Sequence, residues 1–221
     1  MKRLFSIGLF FASFILSTAI AEDKSQEISL PRILIIGDSI SMGYTPQVIQ
    51  KLKGKAIVQH NTGNAGPTMR GIDDIEKWLG NTKWDIIQFN WGLWDMYGWK
   101  YNKHDRTPSA YEKRLDTLVV QLKKTGSRLI WATTTPACPE PEKKSKVKID
   151  PTTESEYLAA AERVMKKHNI RINDLHALIA PELAQYARAN NDVHFTKAGY
   201  GKLAEQVADT IEQLIKDADK K

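Results

Sequence analysis

The sequence predicts an α/β protein, a three-layer α/β/α sandwich around a parallel, flavodoxin-like five-stranded sheet. Three observations carry this expectation. Short apolar runs recur along the chain without the strict alternation of a half-exposed sheet, as strands covered on both faces require. Segments with helical spacing of apolar residues separate those runs, the arrangement that joins parallel strands through crossover helices. No repeat and no Gly/Ser linker divides residues 22–221, so a single core must absorb the whole alternation.

Arg32–Ile36 (Arg-Ile-Leu-Ile-Ile) reads as the first buried strand, followed by Ala56–Gln59, Trp84–Asn90 and Ser127–Thr133, with Ile170–Asn173 as a shorter fifth. Between them, Pro46–Leu52, Met69–Leu79 and Glu154–Lys167 are predicted helices. Thr107 can cap a helix whose first position is Pro108 and which Gly126 ends. Its apolar stripe is Tyr111, Leu115, Leu118, Val119 and Leu122. Thr196 can cap a last helix, with Phe195 as its staple and Tyr200, Leu203, Val207, Ile211 and Leu214 on one face.

The composition, 42% hydrophobic and 26% charged over 221 residues, is that of a globular chain and excludes collagen, coiled coil and general disorder. A single cysteine, Cys138, excludes an internal disulfide framework and a Cys-based zinc finger. The net charge of +6 comes without a long basic run or a nucleic-acid motif, so no nucleic-acid partner is expected. Lys2 and Arg3 precede an apolar run from Leu4 to about Leu16, and Ala19-Ile20-Ala21 follows. Positive start, apolar middle and small-residue end make residues 1–21 a secretory signal peptide. The expected product is a secreted or periplasmic protein with no stable membrane insertion: a lead-in at 22–30, then one domain at 31–221. Its oligomeric state is left open.

In a parallel sheet the ligand site lies beyond the carboxyl ends of the strands. The first strand runs into Gly37-Asp38-Ser39, where a serine between strand and helix is held at the rim and can attack a bound carbonyl if a base takes its proton. The second ends in Asn61-Thr-Gly-Asn-Ala-Gly66-Pro-Thr, a loop that can bring backbone N–H groups to the same point. The third ends in Asn90-Trp-Gly-Leu-Trp94-Asp95, and Asn191-Asp192-Val-His194 precedes the last helix. The other histidines, His60, His104, His168 and His176, lack ligand spacing and read as surface or structural residues. No phosphate-binding glycine motif is present, and neither a metal nor any other cofactor is expected.

These four segments, in this order from Arg32 to about Tyr200, resemble the blocks of the SGNH (GDSL) hydrolases. The resemblance implies a serine hydrolase acting on ester bonds. Ser39 matches the nucleophile, whose own N–H also serves the oxyanion hole; Gly66 matches the glycine whose N–H completes it, and His194 the general base. Two positions depart from the pattern. In the third block, usually Gly-x-Asn-Asp, Trp94 stands where an asparagine amide would donate to the oxyanion, leaving Asn90 or the Trp94 indole N–H as replacements. In the last block, usually Asp-x-x-His, the acid's register falls on Asn191, while the carboxylate of Asp192 lies one residue nearer His194. Either residue can orient the imidazole.

Aromatic residues crowd the third strand and its exit, and Trp91, Trp94 and Trp99 are candidate substrate contacts. A long stretch from about Thr134 to Thr152, with Lys143, Lys144, Lys146 and Lys148, is a lid, a recognition loop or a solvated excursion. The expected substrate is a small-molecule ester or an acetylated glycan. A catalytically weak polysaccharide-binding module is the alternative, because both departures touch the chemistry; hydrolysis and acyl transfer are not separated.

Overall fold

The computed structural model describes residues 29–101, 103–137, 151–189 and 192–219. The expected signal peptide, most of the lead-in, Cys138, the lysines of the long loop and Asn191 lie outside these residues. Five strands, β1 (Arg32–Ile36), β2 (Ile57–His60), β3 (Ile86–Phe89), β4 (Arg128–Ala132) and β5 (Arg171–Asn173), form one parallel sheet in the order β2-β1-β3-β4-β5. The expected α/β/α fold is therefore present, with β1 as expected, β2 shifted by one residue, and the ends of β3, β4 and β5 trimmed by at most two residues. Ile33–Ile36 and Ile86–Phe89 are buried throughout, which explains why these strands read as continuous apolar runs.

Helices α1 (Ser39–Lys51) and α8 (Lys197–Asp219) pack on each other, while α2 (Thr68–Leu79), α4 (Pro108–Lys123) and α5 (Pro151–His168) pack together as a second layer. Three short helices, α3 (Leu93–Tyr97), α6 (Leu175–Ile179) and α7 (Leu183–Tyr186), decorate the strand ends. The stripe expected for α4 is buried in full, and Thr107 caps that helix by accepting the Ala110 N–H at 3.2 Å. Thr196 likewise accepts the Gly199 N–H at 3.2 Å, and Phe195 is buried beneath it.

The first helix differs from the expectation of a start at Pro46. Asp38 Oδ1 accepts the Ile40 N–H at 2.9 Å, so the cap forms directly after β1 and the helix begins at Ser39. Pro46 then lies inside α1, on its exposed side. Because β1 leads to β2 on one side while β3 lies on the other, the chain reverses direction across the sheet beside β1, and a crevice opens at its carboxyl end.

Candidate active site

Ser39 occupies the first turn of α1, and its Oγ lies 2.9 Å from His194 Nε2, although 155 residues separate the two in sequence. Packing makes this meeting possible. Tyr200, one turn into α8, lies so close to Gly43 on α1 that any side chain there would collide with its ring. The glycine lets the two helices approach, and the loop leading into α8 is thereby brought over the start of α1. That loop is itself braced: Ala187 and Phe195 form an antiparallel bridge, the Arg188 N–H donates to His194 O at 2.9 Å, and the Thr196 N–H donates to Tyr186 O at 2.8 Å.

Asp192 is the acid beside His194. Its Oδ1 lies 2.6 Å from His194 Nδ1 and also accepts the His194 backbone N–H at 3.0 Å. Its Oδ2 accepts from Arg188 Nε at 2.5 Å. Burial acts to raise this carboxyl, but the hydrogen bonds from His194 and Arg188 outweigh it and hold Asp192 below the usual carboxylate range. Of the two residues the sequence left open, Asp192 contacts the ring, while Asn191 lies outside the described residues. Arg188 carried no sequence signal, being one arginine in a polar stretch.

The turn bearing Ser39 is tied to the β2–α2 loop. Asn61 is buried, accepts the Gly37 N–H on Oδ1 at 2.9 Å and donates to Gly63 O at 3.0 Å. The Ala65 N–H donates to Gly37 O at 2.9 Å. On the other side of the turn, Ser41 Oγ donates to Asp38 O at 2.8 Å and lies 2.6 Å from His60 Nε2, whose Nδ1 faces Asn61 O at 2.8 Å. His60 is thus a structural histidine, as its sequence context implied. Burial raises the Asp38 carboxyl to about 6, against the opposing pull of the Ile40 N–H and of His194.

The groups expected from the sequence to donate to an oxyanion are unequal. The Ser39 N–H, at the free end of α1, has no hydrogen-bond acceptor among the described residues. Gly66 adopts φ +61°, and its N–H donates to Asn64 Oδ1 at 2.8 Å, so a substrate oxygen must compete with that side chain. Asn90 is not a free donor, contrary to the sequence expectation. Its amide donates to Ala132 O at 2.8 Å and Thr134 Oγ1 at 3.3 Å, which uses both hydrogens to tie the end of β3 to β4.

Trp91 also departs from expectation. It is 1% exposed, packed against Phe89 and close to Gly71, because the second residue past β3 turns into the α2–α4 layer and not toward the rim. Trp94 and Trp99 do form a surface group. Trp94 meets Trp99 edge-on at 4.7 Å and Tyr101 at 6.0 Å, and Tyr97 stacks on Trp99 at 4.9 Å, with Trp99 37% exposed. Asp95, the neighbour of Trp94, is buried, where it accepts from Thr68 N at 2.9 Å and Thr68 Oγ1 at 2.5 Å and pairs with Arg114 at 3.4 Å. It anchors the start of α2 to α3. Among the described residues no group of three His, Cys, Asp or Glu side chains is placed to hold a metal ion, and no helix is long and apolar enough to cross a membrane.

No protein-family model and no curated protein matches the sequence. Solved structures do match the fold. A lipase/acylhydrolase from Enterococcus faecalis superposes with a TM-score of 0.69 at 20% identity, covering 83% of this chain and 96% of its own. A GDSL-like lipase from Bacteroides thetaiotaomicron gives 0.66 at 17% identity, over 83% and 88% of the two chains. An acetyl xylan esterase gives 0.64 at 14% identity, over 81% and 99%. Sheet order, crossover helices and these superpositions agree: the chain has the fold of the SGNH (GDSL) hydrolases.

Proposed function

We propose that the protein is an exported serine esterase that cleaves carboxylic esters through an acyl-enzyme. The observation that carries this reading is the ordered set Ser39 Oγ–His194 Nε2 at 2.9 Å and His194 Nδ1–Asp192 Oδ1 at 2.6 Å, at the carboxyl end of β1. His194 Nε2 takes the serine proton as Oγ bonds to the ester carbonyl carbon, and Asp192 accepts from Nδ1–H, holding the ring with Nε2 toward the serine. The carbonyl oxygen becomes an oxyanion, met by the Ser39 N–H and by the Gly66 N–H once that group exchanges Asn64 for the substrate. Collapse expels the alcohol, which receives the proton from His194. Water then attacks the acyl-enzyme with His194 again as base, releasing the acid and restoring Ser39.

The substrate class proposed is an acetylated carbohydrate. The exposed Trp99 face, with Trp94, Tyr97 and Tyr101 around it, suits the apolar face of a sugar ring. One structure of the same fold is an acetyl xylan esterase. Export follows from the composition of residues 1–21 and predicts a mature protein that begins at Glu22.

A specific observation favours the second reading, a weakly catalytic glycan-binding module: Trp94 replaces the amide donor, Asn90 is engaged elsewhere, and Asn64 occupies the Gly66 N–H. Loss of one oxyanion donor costs about a hundredfold to a thousandfold in rate. Incubation with a fluorophosphonate probe, beside assays on aryl acetates and acetylated xylo-oligosaccharides, separates the two. Labelling at Ser39 with acetate release, both lost in Ser39→Ala, is the expected result. Folded wild-type protein that binds glycan yet neither labels nor hydrolyses belongs to the module.

A further inference from the structure

Arg188 touches both members of the acid–base pair, although acyl transfer as derived above needs no arginine there. Its Nε donates to Asp192 Oδ2 at 2.5 Å, and its Nη2 lies 3.4 Å from His194 Nδ1. Asp192 is thereby divided, one oxygen serving the imidazole and the other the guanidinium. Asp192 lies only two residues before His194, and Oδ1 must serve both the Nδ1–H and the backbone N–H of that residue. A second anchor on Oδ2 stops the carboxylate from rotating away. The Nδ1–H already points to Asp192, so the nearby Nη2 makes no hydrogen bond to the ring. What it adds is a fixed positive charge beside an imidazole that becomes positive in each proton transfer.

We propose that Arg188 is a positioning residue of the catalytic pair, which holds Asp192 Oδ1 on His194 Nδ1 and, through its charge, opposes build-up of imidazolium, extending activity toward acid. The proposal rests on the Ser39–His194–Asp192 reading. Among the described residues, Asp38 from the turn before α1 also acts on His194, in the opposite sense once it loses its proton near pH 6, while Tyr200 on α8, beside Arg188, Asp38 and Asp192, is kept neutral by burial. The Arg188 side chain is 62% exposed, so its charge acts through a largely aqueous medium and salt weakens it.

The test compares wild type, Arg188→Gln and Arg188→Lys as mature full-length proteins. It reads kcat/KM for 4-nitrophenyl acetate from pH 5 to 9 and the NMR titration of the His194 ring. Arg188→Gln is expected to lower the plateau about tenfold through lost positioning. It should also move both the acid limb and the ring titration up by about half a pH unit at low salt, an effect that fades in 1 M NaCl. Arg188→Lys, which keeps the charge and loses the fork, should leave the limb in place and recover only part of the plateau. An unmoved ring titration in Arg188→Gln, or identical behaviour of the two variants, overturns the proposal. The ring titration needs no turnover. A shifted ring in a protein without esterase activity therefore refutes the hydrolase reading alone, whereas an unshifted ring refutes the role of Arg188.

Discussion

The side-chain oxygen of Asn61, at the end of β2, accepts the N–H of Gly37 at 2.9 Å, two residues before the candidate nucleophile. This bond sets the serine turn against the loop that carries Gly66. Asn61→Ala leaves the Gly37 N–H buried without a partner and frees the loop. The expected cost is about 2–4 kcal/mol in urea unfolding. A loss under 0.5 kcal/mol, taken as roughly the noise of surface substitutions, would show that the contact holds nothing.

Asp192 and Asn191 separate by mutation. Asp192→Asn keeps the size but removes the carboxylate facing His194, and kcat/KM should fall by about a hundredfold to ten-thousandfold. Asn191→Ala should stay within about threefold of wild type, a difference of less than roughly 1 kcal/mol in transition-state binding. Steady-state kinetics on one aryl acetate decides between them, and the reverse ranking would transfer the acid's role to position 191.

Asp38 makes stability depend on pH in the direction opposite to an ordinary paired carboxylate. Its carboxyl is raised from 3.8 to about 6 by burial, so between these values the native state keeps a proton that the unfolded chain has lost. Its contribution is therefore most favourable below pH 4 and is lost as pH rises through 6. Asp38→Asn keeps an oxygen for the Ile40 N–H and removes the buried charge. Relative to wild type it should gain up to about 3 kcal/mol at pH 7 and almost nothing at pH 4. Equal effects at both pH values in chemical denaturation would count against a buried, proton-retaining Asp38.

Two tryptophans from one stretch of sequence should behave differently. Trp91→Ala empties a fully buried site and should cost about 3–5 kcal/mol of stability. Trp99→Ala removes an exposed ring and should leave stability within about 0.5 kcal/mol. It should raise KM for acetylated oligosaccharides several-fold while sparing 4-nitrophenyl acetate. Equal KM effects on both substrates would mean that the ring does not face the sugar.

Much of this protein is determined locally. The apolar runs of Arg32–Ile36 and Ile86–Phe89 specify strands buried on both faces, and Thr107-Pro108 and Thr196 start helices through caps that need only their own neighbours. Ser39 and His194, with Asn191 and Asp192 as alternative acids, could be marked from the resemblance to the SGNH blocks and from their place at strand ends and helix starts, where a parallel sheet exposes chemistry. Position 46 misled because proline marks helix starts, whereas the Asp38 cap acts eight residues earlier and leaves Pro46 on an exposed face. The distant partners of side chains were decided by the tertiary structure alone. Asn90 and Trp91 follow one another on the rim in sequence, yet the approach of β4 captures the amide of one and the α2–α4 layer buries the ring of the other. Ser39 and His194 meet only because α8 packs on α1 across 155 residues of sequence. Backbone preference is a property of a few adjacent residues, but a hydrogen bond between side chains depends on where the whole fold brings them.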